Sequence, residues 1–101
     1  MKIKREMLAR MSIEEFAEEN DLTMKVVERK HYDHKGQRFY AVFDGAEVKG
    51  DSVLMGLYGD GETEEEAIRS YAQVISGKTI VFNAEKKYRL ELDVPILKGA
   101  R

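Results

Sequence analysis

The chain of 101 residues contains no cysteine, no tryptophan and one proline. The absence of cysteine excludes disulfide bonds and thiolate metal sites, so apolar packing must stabilise the fold, which suits a reducing compartment. No stretch approaches the roughly 18 apolar residues of a membrane-spanning helix, and no apolar run follows the basic start as it does in a signal peptide. We therefore expect a cytoplasmic protein that does not associate with a membrane.

Length and composition indicate one folded unit. Hydrophobic residues make up 43% of the chain, and a domain of this size buries roughly 60 to 70% of its unfolded surface. We predict a single domain over residues 12–95, a basic arm or helix extension at residues 1–11, and a mobile tail at residues 96–101. Since the strong structural signals begin only after it, Met11 is a candidate natural start beside Met1.

The net charge of −2 conceals separated blocks of charge. Residues 12–21 and 39–66 are acidic, whereas the segments around and between them are basic. Such blocks are usually solvated faces of one domain, but they also suit a partner with a complementary charge pattern, because complementary charge steers encounter. Neither sign dominates enough to indicate nucleic acid by itself.

Two helices are predicted from their N-terminal capping signals. Ser12 with Glu15, and Thr63 with Glu66, have the spacing of capping boxes. The first helix is predicted over residues 13–20, and residues 1–11 could extend it. The second is predicted over residues 64–76 and ends at a glycine, which favours the left-handed conformation. Its apolar face comprises Ala67, Ile68, Tyr71, Ala72 and Ile75.

Alternating apolar residues predict two β-hairpins and a strand between them. The predicted strands are residues 22–32, 37–43, 52–58, 79–82 and 87–94. Residues 44–52 hold two glycines and four charged residues, which favours a loop or a weak edge. The side chains predicted to face the core are Phe39, Ala41, Phe43, Val53, Met55, Leu57, Tyr88, Leu90, Leu92 and Val94.

The element order predicts the fold class. Helices and strands follow one another as α-β-β-β-α-β-β, and the alternation is typical of half-buried antiparallel pairing. We therefore predict an α+β two-layer sandwich, in which the helix of residues 64–76 covers one mostly antiparallel sheet.

Few side chains suggest catalysis, metal binding or phosphate binding. His31 and His34 flank Asp33, but zinc normally needs three or four protein ligands, and the chain has no third histidine and no cysteine. Residues 56–61 (Gly-Leu-Tyr-Gly-Asp-Gly) lead into a helix like a phosphate-binding turn. The glutamates at residues 64–66 would repel a phosphate, and the lysine of a P-loop is missing. We predict no catalytic residue, no metal, no cofactor and no enzymatic activity.

Two surfaces are candidates for binding. The first hairpin combines basic and aromatic groups that could bind a nucleic-acid strand, namely Lys25, Arg29, Lys30, Arg38 and Tyr40. An acidic lip precedes and opens the second helix and could contact a protein partner, and it comprises Asp60, Glu62, Glu64 and Glu65.

Residues 39–77 read Phe-Tyr-Ala-Val-Phe, then a glycine-containing strand, then Gly-Asp-Gly-Glu-Thr-Glu-Glu-Glu-Ala-Ile. This succession resembles the strand-strand-helix unit of HicB-type antitoxins. The resemblance implies binding to a small mRNA-cleaving toxin, often with a separate DNA-binding element. The chain departs from that family because it lacks the Pro-Gly-Cys segment and an appended helix-turn-helix.

The order α-β-β-β-α also resembles that of double-stranded-RNA-binding domains, whose second helix normally begins with a lysine cluster. Glutamates occupy that position at residues 64–66, so a similar fold is implied without binding to double-stranded RNA. The whole chain, especially residues 13–20 and 75–82, further resembles small uncharacterised proteins encoded by phages and prophages, which implies a bacterial host cell.

These observations lead to one expected function and two alternatives. We expect a small non-enzymatic interaction protein of phage or prophage origin that binds a bacterial protein. The alternatives are a nucleic-acid-binding module that uses the basic hairpin, and a HicB-like antitoxin. A homodimer is also possible, because the hairpins leave open strand edges and because Met7, Leu8 and Met11 could pair between two copies.

Overall fold

The computed structural model describes residues 10–99, and the predicted α+β class is confirmed. Within those residues it contains two helices and seven strands. In chain order these are α1 (Ile13–Glu19), β1 (Met24–Glu28), β2 (Phe39–Phe43), β3 (Ala46–Lys49), β4 (Leu54–Met55), β5 (Gly59–Gly61), α2 (Glu64–Ile75), β6 (Thr79–Phe82) and β7 (Leu90–Asp93). Both helices and both hairpins therefore form where the sequence predicts them.

The strands form two antiparallel sheets rather than the single predicted sheet. The first has the order β1-β2-β5 and the second the order β4-β3-β6-β7. The chain passes from one sheet to the other at Asp44 and Gly45, where Gly45 has a φ of +82°. Because glycine adopts this left-handed conformation without a Cβ penalty, the backbone can turn out of the first sheet within two residues.

The segment between the two sheets differs most from its prediction. Residues 46–49, expected in a loop or weak edge, form β3, which is paired on both sides within the second sheet. Of the predicted strand over residues 52–58, only β4 (Leu54–Met55) forms, and β5 begins after it, at Gly59. Val53 is 61% exposed and Met55 is 37% exposed, so their predicted place in the core is wrong. Short strands carry too few residues for a clear alternation, and charges in β3 obscure its buried Val48.

Helix α1 begins at the predicted capping box. The Ser12 hydroxyl accepts a hydrogen bond from the Glu15 N–H at 3.0 Å, and the Glu15 carboxylate accepts one from the Ser12 N–H at 2.8 Å. This second bond is the main reason that the pKa of Glu15 is lowered. Ile13 and Phe16 are buried, and the Phe16 ring lies 6.2 Å from that of Phe43. The cap thus fixes where α1 enters the core.

Helix α2 is capped by Thr63, but one of its two capping hydrogen bonds differs from the predicted capping box. The Thr63 hydroxyl accepts a hydrogen bond from the Glu66 N–H at 3.1 Å, as predicted. The Glu66 carboxylate instead accepts from the N–H of Glu62, at 3.0 Å, one residue before Thr63. The helix is followed by Gly77, whose φ of +75° matches the predicted glycine stop.

Helix α2 packs directly on the inner face of the three-stranded sheet. A Cβ atom added to Gly59 would overlap the backbone of Tyr71 and Ala67, and one added to Gly61 would overlap the backbone of Ala67 and Glu66. Residues 59–61, which were predicted as a glycine turn, form β5 instead. Glycine at positions 59 and 61 is what lets α2 approach this strand so closely. Tyr71 meets Phe43 edge to face at 5.4 Å in the core.

The second sheet and the C-terminal segment complete the same core. Ile80 is fully buried and Val94 almost so, but Tyr88 is 65% exposed and Leu90 43% exposed, so the predicted apolar face of the last strand is only partly buried. The segment predicted as a mobile tail supplies a fully buried Leu97. Two apolar residues after a proline give no periodic signal, so the sequence did not reveal this contact.

The N-terminal predictions are only partly covered by the described residues. Arg10 and Met11 precede α1 outside any helix, and the half-buried Met11 packs against the core. The Met11 carbonyl accepts a hydrogen bond from the Lys98 N–H at 2.8 Å. The predicted arm or helix extension over residues 1–9, with Met7 and Leu8, lies outside the described residues. In residues 10–99 no helix is long and apolar enough to cross a membrane.

Candidate functional site

The outer face of the three-stranded sheet, opposite α2, carries the candidate site. Residues that pair across antiparallel strands point to the same face. Tyr40 in β2 pairs with Val27 of β1 on one side and with Asp60 of β5 on the other, and Lys25 pairs with Val42. The register therefore places one aromatic ring, one cation and one carboxylate on the face that α2 leaves open.

Arg29, which directly follows β1, makes several contacts on this face. Its guanidinium carbon is 4.9 Å from the centre of the Tyr40 ring and 5.5 Å from that of Tyr58, and the two rings are 5.6 Å apart. Its Nη2 lies 2.8 Å from Asp60 Oδ1, and its Nη1 donates a hydrogen bond to the Gln37 carbonyl at 2.6 Å. We call Arg29, Tyr40, Tyr58 and Asp60 the Arg29 cluster.

The contacts of Arg29 hold it in one orientation. The Asp60 contact is an ion pair at close range rather than an aligned hydrogen bond, and Asp60 Oδ1 is buried. The side chain of Arg29 is 23% exposed and that of Asp60 is 33% exposed. A guanidinium that stacks on aromatic rings while it faces a carboxylate loses little further entropy on binding. The cluster is therefore a preorganised surface.

A second ion pair lies beside the cluster. Arg38 Nε donates a hydrogen bond to Glu28 Oε2 at 2.8 Å, and this bond is the main reason that the pKa of Arg38 is raised. The guanidinium carbon of Arg38 lies 5.4 Å from the centre of the Phe39 ring. Both predicted arginines therefore face carboxylates, which compensate their positive charge locally.

The structure brings most of the predicted nucleic-acid-binding residues to one region. Arg29 and Tyr40 belong to the cluster, and Arg38 lies beside it. Lys25 is exposed on the outer face, and Lys30 is exposed just beyond the end of β1. An open depression at that end is lined by Glu28, Arg29, Lys30, Tyr32 and Arg38.

The acidic lip does not form one surface. Asp60 pairs with Arg29, and Glu62 accepts a hydrogen bond from the Gly36 N–H at 2.7 Å, so both contact the basic hairpin. Glu64 and Glu65 are exposed on α2, where Glu65 lies 3.9 Å from Arg69 one turn along. The two surfaces that the sequence treats separately are therefore joined through Asp60 and Glu62.

Tyr58 is the member of the cluster that sequence reasoning missed. It precedes β5 and is 48% exposed, and its ring faces both Arg29 and Tyr40. The sequence assigned it to the end of a regular strand. An aromatic residue beside the glycines at positions 56 and 59 was the available signal, because such glycines often mark places where other groups approach closely.

The histidines do not join this site. His31 and His34 are both exposed in the loop between β1 and β2. Across residues 10–99, no three histidine, aspartate or glutamate side chains gather in a way that could hold a metal ion. The chemistry that the described site offers is cation–π stacking, ion pairing and hydrogen bonding.

No protein-family model, curated protein or solved structure matches this chain. The resemblances to HicB-type antitoxins, to double-stranded-RNA-binding domains and to phage-encoded proteins therefore stay predictions from the sequence.

Proposed function

We propose that this chain is a small non-enzymatic interaction protein that binds a protein partner through the outer face of its three-stranded sheet. The Arg29 cluster forms the centre of the contact, and Lys25, Lys30 and Arg38 lie around it. The observation that carries the proposal is the position of Arg29 between two tyrosine rings and a carboxylate.

The balance of charge favours a protein over nucleic acid. Nucleic-acid affinity comes chiefly from cations that neutralise phosphates. Arg29 and Arg38 already face Asp60 and Glu28 at 2.8 Å, so binding a phosphate would require these pairs to separate. A protein partner can instead keep the pairs and contact the rings around them.

The residue types also favour a protein interface. Tyrosine and arginine are enriched among the residues that dominate binding energy at protein interfaces, because they bring large contact areas with polar ends. The outer face presents Tyr40, Tyr58 and Arg29 together, beside the half-buried Val27 and Val42. These five side chains form a contact patch that combines apolar area with directional polar groups.

Capture from bacterial lysate tests the proposal. The tagged full chain is incubated with nuclease-treated lysate, next to the variants Tyr58→Ala and Tyr88→Ala. The tyrosines are 48% and 65% exposed, but Tyr88 lies in the loop before β7, outside the three-stranded sheet. We expect a discrete protein that is retained by the wild type and Tyr88→Ala and lost with Tyr58→Ala.

Equal capture by both variants would contradict the proposal, since the outer face would then be dispensable. The proposal would also be contradicted if the wild type captured the protein from untreated lysate but not from nuclease-treated lysate, because the interaction would then depend on nucleic acid. Circular dichroism of each variant confirms that a lost interaction reflects the surface rather than unfolding.

A nucleic-acid-binding module is the second candidate, and the exposed Lys25 and Lys30 beside Tyr40 and Tyr58 favour it. Aromatic rings stack on bases, and surrounding lysines follow the phosphate backbone. Affinity for a single strand that falls steeply with added salt is its signature. Binding that does not respond to salt would exclude this candidate.

The sequence resemblances suggest the kind of partner. A toxin is the partner that the HicB resemblance implies, and a bacterial host protein is the one that phage or prophage origin implies. Mass spectrometry of the captured protein distinguishes these partners. Sizing of the full chain against a variant that begins at Met11 tests whether a homodimer forms through Met7, Leu8 and Met11.

A further inference from the structure

Strand β1 forms an open edge of the three-stranded sheet. The order β1-β2-β5 leaves one side of β1 without a neighbouring strand among residues 10–99. Of the four strands that end a sheet there, β1 is the longest, with five residues, whereas β7 has four, β5 three and β4 two. Its register with β2 is continuous, and it contains no proline. Since bulges and prolines are devices that protect an edge from pairing, β1 is open to a further strand.

The hydrogen bonds of the first hairpin show which backbone groups of β1 face this open side. The Arg29 N–H donates to the Arg38 carbonyl at 2.8 Å, just past the end of β1. In an antiparallel pair, residues that bond across the strands alternate with residues whose N–H and C=O groups point the other way. Every second residue back from Arg29 therefore also bonds to β2. The residues between them point their backbone groups to the open side, and these are Met24, Val26 and Glu28.

The inner face of this edge continues into an apolar groove. Met24 pairs with Phe43 and Val26 with Ala41. Both partners are fully buried, so Met24 and Val26 share the inner face of the sheet. Beside Met24, the groove combines half-buried apolar side chains with two exposed carboxylates, and it is lined by Ala17, Leu22, Ile68, Glu14 and Glu18. A strand added to β1 would therefore place every second side chain over this groove.

We propose that β1 accepts an extended segment of a protein partner, with alternating apolar and basic side chains on one face, as a further antiparallel strand. Main-chain hydrogen bonds to the outward groups of β1 give affinity, and alternate side chains give specificity. Every strand pair in residues 10–99 is antiparallel, which favours the same arrangement here. Apolar side chains of the segment contact Met24 and Val26. Its cations face the carboxylates of Glu14, Glu18 and Glu28.

The charges of β1 disfavour a second copy of this chain as the occupant. A symmetric antiparallel pair centred on Val26 would place Glu28 of each copy beside Met24 of the other, at the acidic groove. With the centre moved one residue along the strand, Lys25 would lie opposite Arg29. Like charges that face each other across strands destabilise the pair. A basic segment from another protein avoids both contacts.

Amide hydrogen exchange of the full chain with a synthetic peptide tests the proposal. The probe is acetyl-Lys-Thr-Val-Thr-Val-Thr-Lys-amide, which carries valines and lysines on one face. In the free protein, we expect the amides of Val26 and Glu28 to exchange rapidly and that of Val27 slowly. At about ten times its dissociation constant, the probe should slow exchange at Val26 and Glu28 by about tenfold, because only the free protein exchanges. Slow exchange at Val26 before the probe is added would overturn the proposal, since the chain itself or a second copy then covers the edge.

Backbone methylation of the probe separates strand addition from side-chain contacts. In the antiparallel arrangement, the valine N–H groups point to β1, because residues that exchange hydrogen bonds share a face. Methylation of both valine nitrogens should abolish binding. Methylation of two threonine nitrogens, which face solvent, is the matched control and should retain it. Equal binding of the two methylated peptides would overturn the proposal, as would the absence of saturable binding at about 1 mM of the unmodified probe.

Protein variants test the carboxylates of the groove and separate the β1 edge from the outer face. Glu14→Gln/Glu18→Gln should weaken binding of the probe several-fold, whereas Asp51→Asn/Glu85→Gln, which removes two exposed carboxylates outside the groove, should not. Equal effects of these two variants would overturn the charge match. Tyr58→Ala should bind the probe as the wild type does, because the Arg29 cluster lies on the opposite face, and a loss of binding would overturn the assignment to the edge. The inference goes beyond the proposed function, since Tyr58→Ala can keep the probe whether or not it loses the protein captured from lysate.

Discussion

At the scale of single residues, the absence of a side chain at Gly59 and Gly61 determines how closely α2 approaches β5. The helix backbone at Ala67 and Tyr71 occupies the space that a Cβ atom would need. Backbone atoms cannot move aside as a flexible side chain can, so these two positions require glycine for steric reasons. Neither glycine has a positive φ, so the requirement is one of space rather than backbone conformation.

The substitution Gly59→Ala should lower the free energy of unfolding by about 2 kcal/mol or more, because the added methyl group pushes α2 away from the sheet. Chemical denaturation followed by circular dichroism measures the change. Gly56→Ala is the matched control, since its added Cβ has no neighbour within 4 Å. The control should change stability by less than about 1 kcal/mol. Equal effects of the two variants would show that α2 does not lie on β5.

Because of Tyr71, we expect the free energy of unfolding to depend on pH in the alkaline range. Burial raises the pKa of its hydroxyl, and a hydrogen bond with the Phe43 backbone opposes this rise in part. The unfolded chain ionises near the ordinary tyrosine pKa of about 10. The stabilisation from a neutral Tyr71 is therefore complete below that pH and is lost as the pH rises toward the folded-state pKa.

We accordingly expect Tyr71→Phe to flatten the decline of unfolding free energy above pH 10, at a cost of about 1 kcal/mol near neutral pH for the lost hydrogen bond. Denaturant titrations at a series of pH values measure this. Tyr88→Phe, at an exposed position, is the matched control. An unaltered alkaline decline in Tyr71→Phe would place the hydroxyl in solvent.

At the scale of elements, the ends of the helices are determined locally and the sheets are not. Both N-caps form at the predicted Ser12 and Thr63, because a capping hydrogen bond involves residues three apart in the chain. Strand β3 was missed because its position depends on pairing with β6, which lies 30 residues further along the chain. Sheet membership is a tertiary property that a short segment does not encode by itself.

In the candidate site, too, the features that depend on local periodicity were predictable and those that depend on strand pairing were not. Arg29 and Tyr40 were predictable, because strand periodicity places them on the outer face of the first hairpin. Their proximity to Tyr58 and Asp60 was not, since it depends on β5 joining the sheet beside β2. The sequence therefore indicated a basic surface and a separate acidic one, whereas the structure pairs their charges.

Thr63→Ala should cost about 1 kcal/mol of stability, because the Glu66 N–H loses its side-chain acceptor at the start of α2. Thermal unfolding followed by circular dichroism detects the loss as a lower melting temperature. Gln73→Ala lies on the exposed side of the same helix and should have little effect or a small stabilising one. If Gln73→Ala destabilised the protein more than Thr63→Ala, the assigned helix start would be wrong.

At the scale of the whole molecule, the C-terminal segment joins parts that are distant in sequence. The Leu97 N–H donates a hydrogen bond to the Ser76 hydroxyl at 3.0 Å, at the end of α2. The next residue donates its N–H to the Met11 carbonyl before α1. The buried Leu97 side chain belongs to the same core cluster as residues of both helices.

Leu97→Ala should lower the unfolding free energy by about 2 to 5 kcal/mol, which is the usual cost of removing a fully buried leucine side chain. The neighbouring Ile96→Ala should cost less, because Ile96 is 42% exposed. Denaturant unfolding of both variants decides between packing and a mobile tail. Similar small costs for the two substitutions would support the mobile tail that the sequence predicts.

We propose that the paired charges on the outer sheet face leave it suited to a protein partner rather than to nucleic acid. Titration of the isotope-labelled full chain with a single-stranded oligonucleotide at about 50 mM salt tests it most directly, because phosphate contacts are strongest at low salt. We expect no saturable change in the amide signals of Lys25, Lys30 and Tyr40. Saturable changes at these residues that disappear as salt is added would contradict the claim.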